Sequence, residues 1–262
     1  MTYPCDLCGE TAGTEIEPGI LVCLGCGFVY VPERRMPQEI AADWTNVYRS
    51  GAYDPNWPGV KARLYYVAEW LDQNIGLEGK TLLDIGAGTG FFLDEVSIRG
   101  AQPVGVEPDA TNAQAIRSRN IHCFTGSIET VPSPGQYDIV TMLWTLENCG
   151  DCLAMLKYAK EALAPGGCVV VATGSRILVP FKKPYSSYFG KLSPDLHCFR
   201  WSVASLRQAF AKTGMSFQAW NDFEQNDVLL MTASPDDLVV PGWRNEPQAV
   251  VSFFRSWKEQ WP

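Results

Sequence analysis

Leu82-Leu83-Asp84-Ile85-Gly86-Ala87-Gly88-Thr89-Gly90-Phe91-Phe92 is the stretch from which the rest of the chain can be ordered. An apolar run ends in an acidic residue, passes through three glycines at alternate positions, and continues into residues suited to a helix. Glycine lets a backbone turn sharply and lets a ligand approach it closely. The spacing is G-x-G-x-G, with the third glycine one residue earlier than in the dinucleotide fingerprint G-x-G-x-x-G. The Gly-Lys-Ser/Thr ending of a phosphate-binding P-loop is missing. Asp84 adds a negative charge, which suits a cationic or amino group better than a pyrophosphate.

Outward from this loop, short apolar runs bounded by turn signals alternate with helical patterns. The runs are Thr81–Ile85, Pro103–Val106, Ile121–Thr125, Tyr137–Leu143 and Cys168–Thr173, followed by two more near 215–220 and 227–233. Helices are expected near 91–99, 111–119, 152–163 and 202–212, with Asp109 and Ser202 as N-caps. Before the loop, Leu64, Ala68, Leu71 and Ile75 recur on one helical face. Strands that alternate with helices predict a parallel sheet in an α/β fold. The last two runs, joined by a short loop, predict an antiparallel hairpin at the sheet's edge. His122, inside one run, reads as a core histidine.

The chain has 262 residues, 46% hydrophobic and 19% charged, enough for one large domain and a small module. Its 21 basic against 29 acidic residues leave a net charge of −8, which opposes general binding to nucleic acid or anionic membranes. No apolar run reaches the roughly 18 residues of a spanning helix. The first residues lack the pattern of a secretion signal, so a cytoplasmic location is expected.

Four of the nine cysteines form two pairs, Cys5-x2-Cys8 and Cys23-x2-Cys26. Glycines beside each pair permit turns that aim two thiolates at one point. Two such knuckles close a tetrahedral site, and Zn2+ is the metal that suits four sulfurs, in a structural role because no position stays open. Residues 1–31 therefore read as a separate zinc knuckle, too small to fold on a core of its own. Residues 32–60, rich in Pro and aromatics and without a sustained period, read as a linker. Its Tyr48 and Tyr53 either contribute to a substrate pocket or hold the linker to the domain. Residues 61–233 form the main domain. Residues 234–262 form a tail with an amphipathic stretch from Gln248 to Trp261, which packs on the domain or on a partner.

The glycine loop, Val106-Glu107-Pro108, Tyr137-Asp138-Ile139-Val140 and Leu163-Ala164-Pro165-Gly166-Gly167 stand in the order and spacing of a known family. Over residues 60–233 the chain resembles the class I S-adenosylmethionine (SAM)-dependent methyltransferases. The resemblance implies a Rossmann-like sheet of seven mostly parallel strands and SAM as cofactor. It implies that Asp84, Gly86, Ala87, Gly88, Gly90 and Phe91 hold the methionine part. It assigns Glu107, with Pro108 beside it, to the ribose hydroxyls and Ser127 and Ile128 to adenine. Leu143 and Trp144 would lie beside the sulfonium.

Methyl transfer needs an aligned nucleophile and, for a hydroxyl or carbon acid, a base. Glu147 and Asn148 follow the fourth strand directly, and His197 lies in a long loop, 174–200, that covers the substrate in this family. His197 is a candidate base or a substrate-orienting group. The same loop, from Val179 to Lys191, is the one locally basic stretch, and Lys183 and Tyr185 suit a phosphate and a sugar or base. With its four-cysteine knuckle the chain resembles bacterial methyltransferases acting on nucleotide-linked sugars. Many of those carry Glu-His where Glu147-Asn148 stands here. The expected partner is a small phosphorylated or nucleotide-linked sugar, methylated on oxygen or carbon. The alternative is an RNA base methyltransferase whose knuckle recognises RNA.

Overall fold

The computed structural model describes residues 3–51, 54–132, 135–189, 195–222, 226–236 and 243–262. The chain opens with β1 (Gly13–Glu17), β2 (Ile20–Cys23) and β3 (Val29–Tyr30), then α1 (Pro37–Arg49) and α2 (Pro58–Asn74). Next come β4 (Thr81–Ile85), α3 (Phe91–Ile98), β5 (Gln102–Glu107), α4 (Ala110–Ser118), β6 (His122–Thr125) and β7 (Tyr137–Leu143). After α5 (Cys152–Glu161) and β8 (Leu163–Thr173) stand a two-residue strand, β9 (Phe199–Arg200), then α6 (Val203–Lys212), β10 (Met215–Trp220), β11 (Leu229–Pro235) and α7 (Pro247–Gln260).

Seven strands form one sheet in the order β10-β11-β8-β7-β4-β5-β6. The four contacts from β8 to β6 are parallel, and β11 joins β8 and β10 antiparallel. This is the Rossmann-like methyltransferase architecture. Val169, Val170, Val171 and Ala172 are all fully buried, because helices cover both faces of a parallel sheet and leave no polar side for alternation. Asp109 and Ser202 cap α4 and α6 by accepting the backbone N–H of Asn112 and Ser205. The sheet order makes β6 an edge strand, so His122 is exposed and packs edge-on against Phe124; it is not a core residue. Among the described residues no helix is long and apolar enough to cross a membrane.

Two readings of the N-terminal third need correction. The segment 32–60 contains α1 and the start of α2, each opened by a proline at its first turn, where the missing N–H costs nothing. The knuckle is not a separate body either. Its strands form a second sheet, β1-β2-β3-β9, whose fourth strand comes from the long loop after β8. The C-terminal helix covers this sheet: Val250, Val251, Phe254 and Trp257 share one face and pack with Ile20, Val22, Val29 and Val31. Such a stripe, at i, i+1, i+4 and i+7, is what the amphipathic tail buries.

Candidate active site

The acidic residue before the glycine loop sits at the C-terminal end of β4. Asp84 is 2% exposed and its Oδ1 accepts a hydrogen bond of 2.6 Å from Thr141 Oγ1 on β7. Burial pushes its carboxyl up to about 7, against the Thr141 hydrogen bond and with the nearby Glu107 adding to the rise. A cation beside this buried carboxyl would favour its charged form. Behind it the loop turns with Gly86, Gly88 and Gly90 all at positive φ. A Cβ on Gly86 would collide with the Thr145 side chain, so this position tolerates no side chain on two grounds. Glu107 ends β5, and its Oε2 and Oε1 accept from the backbone N–H of Gly88 (2.7 Å) and Asp109 (2.9 Å). Burial raises it to about 7 against those two bonds. Each oxygen retains a lone pair for a hydroxyl.

A cavity of about 460 Å³ opens over these groups. It is lined by Asp84, Gly86, Ala87, Gly88, Phe91, Glu107, Pro108, Ser127, Leu143, Trp144, Glu147, Asn148, His197 and Tyr48, all of them expected site residues. Gly90 stands just behind, as the N-cap of α3. Ile128 packs against the core while its neighbours Ser127 and Glu129 reach the cavity. Tyr185 is buried beneath α7, its hydroxyl donating to the Ile16 carbonyl at 3.2 Å. Lys183 is exposed, and its carbonyl accepts from Trp257 Nε1 at 2.9 Å. Neither lines the cavity. Tyr53 lies outside the described residues.

Helix α1 supplies a wall whose helical form the sequence reading missed, although Tyr48 was among the expected pocket residues. Ile40, Trp44 and Tyr48, four residues apart, share the face that lines the cavity, and Thr45 Oγ1 donates to Asp109 Oδ2 at 3.0 Å. That four-residue spacing behind Pro37 was the available signal. Arg63 of α2 also lines the cavity.

Glu147, four residues past the end of β7, is 1% exposed. Its Oε1 accepts from Thr173 Oγ1 at 2.7 Å and its Oε2 has no hydrogen-bond partner. Burial raises this carboxyl also to about 7. Asn148 donates Nδ2 to the Trp144 carbonyl at 2.7 Å and leaves Oδ1 unpartnered. Trp144 itself holds φ +54°, a left-handed conformation costly for a tryptophan. His197 is pushed down to about 4 by burial and by the positive charge of Arg200, against Asp195, so its imidazole is neutral at pH 7. Nearby lies a cluster of cations. Arg63 pairs with Asp227 at 3.2 Å, and Lys182, lowered to about 8 by burial, donates to the Asp227 carbonyl at 2.6 Å. Arg176, Arg63 and Lys183 are close enough to lower Lys182 further.

In the N-terminal module, the sulfurs of Cys5, Cys8, Cys23 and Cys26 all lie within 4.8 Å of one another. Cys5 and Cys26 are 3.6 Å apart, Cys8 and Cys23 3.3 Å, and the Gly25 N–H points at Cys23 Sγ from 3.3 Å. A tetrahedral metal with bonds of about 2.3 Å separates its sulfurs by about 3.8 Å, so the donor set fits one. The hydrogen bond to Cys26 and burial hold the Cys5 thiol far above its ordinary value, and a bound cation would relieve that cost.

A family model described as a methyltransferase domain matches residues 60–218. The chain is 27% identical to demethylmenaquinone methyltransferase of Corynebacterium kroppenstedtii over 218 residues, 82% of this chain and 89% of that protein. It is 30% identical to ubiquinone biosynthesis O-methyltransferase of Pseudomonas paraeruginosa over 115 residues, 41% of this chain and half of that one. Among solved structures, magnesium protoporphyrin IX methyltransferase of Synechocystis PCC 6803 with bound SAH shares the fold. Its TM-score is 0.56 and its identity 13%, covering 76% of this chain and 98% of that one.

Proposed function

This chain belongs to the methyltransferase-domain family and is a SAM-dependent methyltransferase; from that premise we propose that its acceptor is a small anionic molecule, a phosphorylated or nucleotide-linked sugar. The observation that carries the proposal is a cavity of about 460 Å³ that joins the proposed cofactor residues to an unpartnered buried carboxylate oxygen. Pockets of roughly 300–1,000 Å³ suit small ligands. The net charge of −8 argues against RNA.

SAM, when bound, supplies a methyl group on a sulfonium, open to in-line displacement. Asp84 holds a cationic amino group, Glu107 orients hydroxyls, and the glycine loop lets the ligand approach the backbone. Glu147, near 7 and with Oε2 unpartnered, takes a proton from the acceptor at neutral pH. Neutral His197 accepts or donates a hydrogen bond beside it. Leu143, Trp144 and Trp44 exclude water. Arg63, on the wall of the cavity, supplies positive charge that favours an anionic acceptor. Cys5, Cys8, Cys23 and Cys26 hold Zn2+ as a structural ion. A cytoplasmic location accords with nine free cysteines.

A second reading, methylation of a quinol ring, draws on the aromatic walls of the cavity and on the two relatives named above. The test is incubation with methyl-labelled SAM and, separately, nucleotide-linked sugars, a demethylated quinol and total RNA. Label on the sugar supports the proposal. Label on the quinol moves the acceptor to the second reading, and label in ribonuclease-sensitive material overturns both.

A further inference from the structure

The four-cysteine module meets the acceptor side of the cavity along the β3–β9 pairing and at one buried side chain. Arg34 has a side chain only 2% exposed. Its Nη1 donates to Asp6 Oδ1 and to the Gly150 carbonyl, both at 2.8 Å, its Nε donates to the Val31 carbonyl at 2.9 Å, and its Nη2 pairs with Asp6 Oδ2. The guanidinium also stacks 4.6 Å from the centre of the Phe199 ring. Asp6 lies between Cys5 and Cys8. Gly150 lines the cavity three residues after Glu147. Phe199 follows His197 by two residues and donates its N–H to the Glu147 carbonyl at 3.2 Å. The Val31 N–H reaches the Cys198 carbonyl at 2.9 Å, beside the β3–β9 pairing. Among the described residues, none of the hydrogen bonds from residues 3–31 reaches the glycine loop or Glu107.

We propose that the four-cysteine module is a positioning device for the acceptor half of the active site, and that Arg34 is the positioning residue through which it orders Glu147 and His197. The assignment rests on the reading of those two residues as acceptor-side groups. Four acceptor oxygens and a stacked ring meet one planar fork of donors, a set that a lysine ammonium cannot reproduce. The metal fixes the Cys5–Cys8 turn, the turn fixes Asp6, and Arg34 carries that order to both chain segments that bear the candidate base. The cofactor half, built on β4 and β5, is left independent.

The chain has two histidines, His122 and His197, so imidazole NMR resolves each, with exposed His122 as the reference. The charged groups that act on His197 are Arg200, Asp195 and Lys183. The test compares the zinc-loaded protein with Arg34→Lys and with the parent protein stripped of zinc by a chelator. The parent should show His197 titrating near 4. Both perturbations should raise it by about one pH unit or more, toward the ordinary value near 6.5, and speed amide exchange at Val31 and Phe199. Arg34→Lys should keep its zinc, and SAM affinity should stay within about twofold in both samples, far less than a tenfold step of 1.4 kcal/mol. An unmoved His197 overturns the proposal, as does an ordinary value in the parent or a loss of SAM binding in step with the His197 shift. If Arg34→Lys fails to fold, the stripped parent decides alone. None of these readouts needs the acceptor, so an error in the proposed acceptor would show only in the labelling experiment.

Discussion

Lowering the pH from 8 to 6 should weaken SAM binding about tenfold, because the group that receives the ligand's ammonium titrates between those values. Asp84 is buried with a single hydrogen-bond donor, Thr141, and stands near 7 in the free protein. Its ionised fraction is then about 0.9 at pH 8 and about 0.1 at pH 6 by simple titration, and only the ionised form pairs with a cation. The sign follows from linkage. A cationic ligand lowers the Asp84 pKa, so binding releases a proton in this window, and affinity rises with pH and levels off above about 8. Glu107, also near 7, adds to the slope to the extent that its hydroxyl contacts need the charge, so tenfold is the lower bound. Titration calorimetry at pH 6, 7 and 8, in two buffers of different ionisation enthalpy, reads both quantities. About half a proton should be released per SAM at pH 7 if Asp84 alone responds. An affinity that is flat from pH 6 to 8, with a heat independent of buffer, would refute the assignment of Asp84 to the ammonium. Asp84→Asn should bind weakly, with its pH dependence reduced to whatever Glu107 contributes.

Gly86→Ala should lose about five- to hundredfold in SAM affinity while the fold persists, since positive φ costs a side chain about 1–3 kcal/mol and the new methyl meets Thr145; fluorescence titration checks it. Glu147→Gln should keep SAM affinity and lose turnover by about 10²–10⁴, the usual worth of a general base, as read by methyl-label transfer once an acceptor is in hand. Trp257→Ala should cost about 3–5 kcal/mol as a large-to-small core change, because its ring is 1% exposed amid Phe181, Phe253 and Phe254; the denaturant midpoint reports it.

The parts of this fold that could be read from sequence are those whose signal is local. β4, the glycine loop and α3 form one contiguous strand, turn and helix, and the buried strands β7 and β8 announce themselves by the mostly apolar runs Ile139–Leu143 and Cys168–Ala172. The side of the cavity proposed for the cofactor is therefore lined by residues that the sequence already singles out. Its acceptor half is assembled from pieces whose meaning depends on distant partners. A strand of two residues has no period to detect, so β9 looks like loop, and with it goes the link between the knuckle and the main sheet. Tyr185 and Lys183 sit in a basic, aromatic loop that suggests a lid. The aromatic ring is instead buried against α7, which lies more than sixty residues further along the chain. Edge position misled the reading of His122 in the same way, since alternation within β6 cannot say where β6 lies in the sheet.

Helix α1 is the instructive middle case. Its Ile40, Trp44 and Tyr48 do recur with helical spacing, yet only Ile40 is fully buried. The stripe was hard to recognise because it faces a cavity and not a core. A helix face that is apolar enough to be periodic but too open to be packed is what a ligand completes. That places the Pro- and aromatic-rich segment before the domain on the wall of the cavity, tied down at Thr45 to Asp109, beside the carboxylate proposed for the ribose. The residues proposed for the cofactor all fall between positions 84 and 144. Those proposed for the acceptor converge from α1, α2, the end of β7 and the loop before β9, and an arrangement of that kind could change its acceptor without disturbing the glycine loop.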